Sequence, residues 1–190
     1  DIEPDIVSGM YALPEVGPRA IEYLVKRNAP RYSLYSDHSI FFYIAPLLIA
    51  GKYLELTGDT EYFKTHLEVT GRLEEIYYGM LAHKHKEYSL FTSHYASDLI
   101  VFKKYDYGAN VQCYYALKAW CMILEILNKD TTETKKLLEQ MPEDMAKYME
   151  ADGPFGKQIT GGNNLNENQD RFYIPDEIYY YGGEDTATVL

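Results

Sequence analysis

Between Glu15 and Asn28 the apolar residues Val16, Ala20, Ile21, Leu24 and Val25 recur at spacings of three and four, which predicts a helix ending near Pro30. The stretch from about Ser39 to Leu56 has a different pattern. Ile40, Phe41, Ile44, Leu47, Leu48 and Leu54 leave it almost no polar face, so a buried helix is expected there. Pro46 should bend that helix or sit where Phe42 does not need its carbonyl bond. Thr57, Gly58 and Asp59 then make a tight joint, Gly58 suiting a left-handed C-cap and Asp59 the next N-cap. From Thr60 to His83 the charges Glu61, Lys64, Glu68, Arg72, Glu74 and Glu75 alternate with Phe63, Leu67, Leu73, Ile76 and Met80. This predicts one half-exposed helix, antiparallel to the buried one. Residues 1–14 are a weakly patterned lead-in.

The same order then returns. Residues 84–109 form a long connection, with an irregular strand expected around Leu99 to Phe102. Asn110 to Asn128 is a second mostly apolar helix, and Lys129, Asp130 and Thr131 a second short joint, with Asp130 and Glu133 at capping-box spacing. A further amphipathic helix is expected over Thr131 to Ala151. A long loop rich in Gly, Asn, Asp and Tyr follows from Asp152 to Asp185, before the sequence TATVL resumes a helical pattern. A shift of 71 residues superposes Tyr43 on Tyr114, Ala45 on Ala116, Asp59 on Asp130, Thr60 on Thr131, Leu67 on Leu138 and Tyr77 on Tyr148. The repeat rests less on those identities than on the recurring order of buried helix, short turn, amphipathic helix and long loop.

Composition narrows the partners. The 190 residues suffice for one domain with a substantial core, and residues 1–190 are taken as a single helical domain. Eighteen Lys and Arg against 29 Asp and Glu give a net charge of -11, which repels a phosphate backbone and an anionic membrane surface alike. The longest apolar stretch, Ile40 to Gly51, is about half of the ~20 residues a membrane span requires and contains Pro46. A soluble chain is expected, and the compartment stays open between the cytoplasm and a secreted or periplasmic location with its signal removed. Cys113 and Cys121 stand eight residues apart on one predicted helix, hence ~12 Å along its axis and out of disulfide reach. The 20 Tyr, against seven Phe and one Trp, offer rings that also carry a hydroxyl, as ligand surfaces for sugars require and as many cores also use.

Two segments carry the pattern furthest. SDHSIFFYIAPLLIAGKYLELTGDTEYF places an aspartate before the buried helix and TGD at its closing turn; YDYGANVQCYYALKAWCMILEIL brings an aromatic and an Asn to the start of the second. Together they resemble hairpins of the six-hairpin (α/α)6-toroid glycoside hydrolases and phosphorylases, over residues 31–190. The resemblance implies an all-α fold of antiparallel helical hairpins, part of an (α/α)6 barrel, in which long loops at the N-termini of the inner helices line a cleft. Only about two and a half hairpins are present, so the expectation is a piece of a larger catalytic domain or a partner to further copies.

In such a cleft three segments would converge, 35–39, 105–112 and 171–186, each with a carboxylate. Glycosidic cleavage needs one carboxylic acid to protonate the leaving oxygen and one carboxylate to activate water. Glu184 and Asp185, after two glycines in YYYGGEDT, are the candidates for that chemistry; capping of the next helix is the plainer role for the same residues. Asp37, Tyr105, Asp106, Asn110, Gln112 and Tyr181 are the candidates for binding an oligosaccharide or polysaccharide, with helix capping an equal reading for Asp37 and Asp106 and a structural bond for Gln112. His83, His85 and His94 fit no compact zinc spacing, and GGNNLNENQD lacks the pattern of a calcium loop, so no metal and no cofactor is expected. Two other functions stay open: a non-catalytic helical-repeat module whose Tyr-rich face binds a glycan or a protein, and a sugar epimerase or isomerase, which would need His38 or His94 in the cleft.

Overall fold

The computed structural model describes residues 2–28, 40–92, 104–153, 156–160, 162, 163 and 165, and within them seven helices pack together. They are α1 (Ile2–Met10), α2 (Val16–Asn28), α3 (Ile40–Thr57), α4 (Thr60–Thr65), α5 (Leu67–Leu81), α6 (Tyr107–Ile126) and α7 (Thr132–Met149). Four short strands accompany them: β1 (Tyr105–Asp106), β2 (Glu150–Gly153), β3 (Gly156–Ile159) and β4 (Gly162–Asn163). The chain is mostly helical, as its periodicity predicts, and α2, α3, α6 and α7 lie where the apolar pattern puts them.

The two apolar helices form the centre. α3 packs along α6, and the contact is close because small residues meet there: a Cβ on Gly51 would come within 2.6 Å of the Ala119 Cβ. Around α3 stand α1, α2 and α5; against α6 stand α5 and α7. Each apolar helix is therefore flanked by amphipathic ones, and the core runs between them through Ile44, Leu47, Phe63, Leu73, Leu117 and Trp120. Trp120 stacks on Tyr77 at 5.6 Å and 28°, and the Tyr77 hydroxyl meets the Thr134 hydroxyl at 3.1 Å, so one buried cluster joins α5, α6 and α7. α3 continues through Pro46.

The two joints between buried and amphipathic helices are built alike. Gly58 has φ 65° and its N–H returns to the Leu54 carbonyl at 2.9 Å; Asn128 has φ 53°, and the Lys129 N–H returns to the Leu124 carbonyl at 2.9 Å. Both are left-handed helix endings, which Gly and Asn tolerate best. Asp59 then caps α4, accepting from the Tyr62 N–H at 3.1 Å, whereas Asp130 stands one residue before the N-cap Thr131 and accepts from the Thr132 N–H at 2.9 Å, so the expected Asp130–Glu133 capping box is not formed.

Three expectations are corrected. Residues 60–83 are not one helix, because the chain breaks at His66, with φ -99° and ψ 63°. The Thr65 hydroxyl donates to the Glu61 carbonyl and the Thr70 hydroxyl to the Phe63 carbonyl, and such side-chain bonds compete with the helical ladder. The break turns Leu67 outward, 67% exposed, and buries Val69 and Thr70 instead. The lead-in is a helix, α1, burying Met10 with Ile6 and Val7 packed alongside; three apolar positions over so short a run make a weak periodic signal. The region after Asp152 is not all loop, since β2 and β3 form an antiparallel hairpin and β4 pairs with β1. The expected strand near Leu99 and the helical start at TATVL lie outside the described residues.

Candidate functional site

The end of the bundle where α6 begins gathers most of the singled-out chemistry among the described residues. Asp106 is the N-cap of α6, its carboxylate accepting from the Ala109 N–H at 2.8 Å. One turn on, Asn110 is fully buried. Its Nδ2 donates to the Phe91 carbonyl at 3.0 Å and the Asp106 carbonyl at 2.7 Å, and its Oδ1 accepts from the Phe91 N–H at 2.7 Å. A single amide thus ties the helix start to the turn formed by residues 83–92. That turn is closed by the His85 N–H on the Leu90 carbonyl at 2.7 Å and the Thr92 N–H on the His83 carbonyl at 3.0 Å. A second tie comes from α7, where buried Asp144 accepts from the Ser89 N–H at 2.6 Å.

The far end of α7 is folded back to the same place. Asn163 donates from Nδ2 to the Tyr148 carbonyl at 2.6 Å, and the Thr160 N–H meets the Met149 carbonyl at 2.9 Å, so the last carbonyls of α7 are served by the segment that also pairs with β1. On this frame sits a row of rings. His85 stacks on Tyr88 at 4.6 Å and 7°, Tyr88 leans on Tyr148 at 4.5 Å and 45°, and buried Tyr105 presents an edge to His85 at 5.6 Å. Lys147 lies 4.8 Å from the centre of the Tyr148 ring. The neighbouring Tyr148 hydroxyl pushes Tyr88 up to about 12, and Tyr88, with help from Lys147, draws Tyr148 below the usual phenol range. His85, Tyr88 and Tyr148 are all partly exposed.

The sequence-derived candidates therefore divide. Tyr105, Asp106 and Asn110 come together, and the Asp106 carboxylate and the Asn110 amide hold the α6 start; Gln112, half-buried, lies two residues further along the helix. Asp37, Tyr181, Glu184 and Asp185 lie outside the described residues, as do His38 and His94. His83 and His85 are placed, with His83 Nδ1 3.3 Å from the Thr92 hydroxyl and His85 Nδ1 accepting from two backbone N–H groups. Among the described residues no group of three or more His, Cys, Asp or Glu gathers to hold a metal ion, and no helix is long and apolar enough to cross a membrane. Cys113 and Cys121 are buried thiols, and burial pushes both upward in pKa.

No family model and no curated protein matches this sequence. The site thus rests on its own geometry.

Residues that sequence reasoning passed over are Tyr88, Lys147 and Tyr148. His85 and Tyr88, three apart in HKHKEYS, carried a weak signal; that they meet Tyr148 depends on Asn110 and Asp144 pinning the turn against both helices. A separate cavity of about 620 Å³ opens between α2 and the α4–α5 break, lined by Glu22, Lys26, Thr65, His66, Glu68 and Arg72 among others. Its two acids oppose its two bases, and Arg72 is already paired with Glu75 at 2.8 Å, so no single-signed donor set converges there.

Proposed function

We propose that this chain is part of a carbohydrate-active enzyme of the six-hairpin (α/α) toroid kind, which hydrolyses a glycosidic bond with inversion. The observation that supports the reading most is the neighbour pattern of the helices. Two apolar helices, α3 and α6, lie side by side; each is joined by a short left-handed turn to amphipathic chain, α4–α5 and α7, that packs outside it. That is how successive hairpins of such a ring are laid down. The aromatic row beside the α6 start is a second support, because rings with hydroxyls at their tips suit a ligand with an apolar face and a polar rim.

In this reading Glu184 or Asp185 supplies the acid or the base, one carboxyl protonating the leaving oxygen while a carboxylate on the opposite face of the scissile bond activates water, ~6.5–9.5 Å away. Asp37, Tyr105, Asp106, Asn110, Gln112 and Tyr181 line or support the sugar subsites. The test is turnover of a panel of aryl glycosides by the chain and by its Glu184→Gln and Asp185→Asn variants. Loss of about 10²-fold or more in kcat in either variant supports the assignment; equal turnover by wild type and both variants removes it.

A non-catalytic glycan-binding or protein-binding module is the second reading. Tyr11, Tyr23, Tyr78 and Tyr115 are each 46% exposed or more, rings open to a partner that binds without chemistry. Saturable glycan binding with no turnover across the panel would favour it.

A further inference from the structure

We propose that Tyr88 and Tyr148 form a modification site, at which a one-electron oxidant of the peroxidase class joins the two rings and ties the turn 83–92 to α7 by a carbon–carbon bond. The two phenols lie far apart in sequence and are brought together by the backbone. The Ser89 N–H donates to the Asp144 carboxylate at 2.6 Å, which fixes the residue beside Tyr88 one helical turn before Tyr148. Positions 144 and 148 share a face of α7, so the two rings are left side by side. Their centroids are 4.5 Å apart, with the planes at 45°. His85 lies flat against Tyr88 at 4.6 Å and 7°, and Lys147 stands 4.8 Å from the centre of the Tyr148 ring, which restrains both phenols.

This pair differs from the other tyrosine pairs in ring contact among the described residues. Tyr53 and Tyr62 meet at 5.7 Å and 74°, Tyr77 and Tyr78 at 5.2 Å and 63°, and Tyr114 and Tyr115 at 5.8 Å and 83°. All three are more distant and nearly edge-on. A new bond forms on the face of each reacting carbon, and an edge-on ring presents its rim instead. Tyr88 and Tyr148 are also both partly exposed, whereas Tyr53, Tyr62 and Tyr77 are buried. The two hydroxyls are neighbours, each the first influence on the other's ionisation, so the carbons flanking them are neighbours too. The Tyr148 phenol, drawn below its usual range, is the readier of the two to give up an electron, as phenolate.

In the reaction each phenol loses one electron and its hydroxyl proton, giving a phenoxyl radical whose spin lies partly on the carbons flanking the oxygen. One such carbon from each ring forms the new bond. Each of these carbons then releases its hydrogen as a proton and each oxygen takes one back, which restores two phenols. Two electrons and two protons leave the pair in total; hydrogen peroxide, acting through the peroxidase, accepts both and becomes two waters. The bond closes a loop of about sixty residues, which removes freedom mainly from the unfolded chain. Cys113 and Cys121, both within α6 and out of disulfide reach, cannot supply such a tie.

The test is to treat the whole chain, at low concentration, with a haem peroxidase and limiting hydrogen peroxide, and to digest the product for mass spectrometry. A monomer lighter by two hydrogen atoms is expected, with the blue fluorescence of dityrosine and a peptide containing Tyr88 joined to one containing Tyr148. Its urea midpoint should lie above that of the untreated chain. Tyr88→Phe and Tyr148→Phe should each lose this product while keeping the native Trp120 emission, and Tyr115→Phe should still form it. The proposal is overturned if no cross-link forms, if links form only between chains, if the monomer's link maps to another pair, or if either Phe variant at 88 or 148 keeps the wild-type yield of monomeric dityrosine.

Discussion

Replacing Asn110 by Ala should unfold the chain far more readily than the loss of one surface amide. In the native protein both Nδ2 hydrogens and Oδ1 are engaged, in three bonds of 2.7–3.0 Å at a position with no exposure. Removing the amide orphans the N–H and the C=O of Phe91, a residue that is itself fully buried. The Asp106 carbonyl keeps the helical N–H of residue 110, so it is not orphaned. Each stranded buried polar group costs about 1–3 kcal/mol, and the two together put the loss at roughly 2–6 kcal/mol, a large share of the ~5–15 kcal/mol that a domain has. Trp120, 1% exposed and stacked on Tyr77, is the single tryptophan and reports unfolding in urea by fluorescence. The midpoint should fall with the slope unchanged. Amide exchange at Phe91 separates this account from general loosening: its protection should vanish in Asn110→Ala while that of Leu117, deep in α6, falls only with global stability. A variant within about 0.5 kcal/mol of wild type, the usual range of a surface change, would refute the reasoning. Asn110→Asp sharpens it further. The carboxylate can accept from Phe91 N–H but faces two carbonyl oxygens, so this variant should be destabilised at neutral pH and should regain stability on acidification, as the protonated acid becomes a donor.

Other consequences follow from single features of the packing. Gly51→Ala should cost about 1–3 kcal/mol in urea unfolding, because its methyl would meet the Ala119 Cβ at 2.6 Å and force α3 and α6 apart. Gly58→Ala meets nothing within 4 Å, so its cost should be the backbone term alone, about 1–2 kcal/mol for φ 65°, and Asn128→Gly at the equivalent joint should be close to neutral or stabilising. Alkaline titration should weaken the fold: burial raises the pKa of Tyr43, Tyr53, Tyr62, Tyr77 and Tyr107 above their unfolded value near 10. A raised folded pKa means that stability is complete below about pH 10 and is lost as pH climbs through the folded values, which thermal melts across that range would show. In the same titration followed by tyrosinate absorbance, Tyr148 should ionise before Tyr43, Tyr53, Tyr62, Tyr77, Tyr88 and Tyr107, and Tyr88→Phe should move it upward by removing the neighbouring hydroxyl.

Much of the architecture is local and could be read from residue order. The near-continuous apolar runs of α3 and α6 specify buried helices because no rotation of either would leave a hydrophilic face for water; Gly58 with Asp59 specifies a joint because a left-handed cap and an N-cap are properties of a few adjacent residues. The break at His66 was hidden, since it depends on Thr65, His66 and Thr70 taking up carbonyls that the periodic pattern assigns to a continuous helix. The strands were hidden for another reason: EADG, GKQI and GN are too short and too polar to show alternation, and β1 finds β4 across some sixty residues.

The site divides along the same line. That Asp106 would cap a helix was visible from its place before an apolar run, and its tyrosine neighbours marked the stretch as unusual. Whether Asn110 faces a ligand or the core was not, because its three partners come from Phe91 and Asp106, and the Phe91 backbone is brought there only by the docking of a distant turn. The ring row of His85, Tyr88, Tyr105 and Tyr148 exists for that same reason. Local chemistry is written in neighbouring residues; a cluster gathered from a turn, a strand and two helices is decided by how they pack.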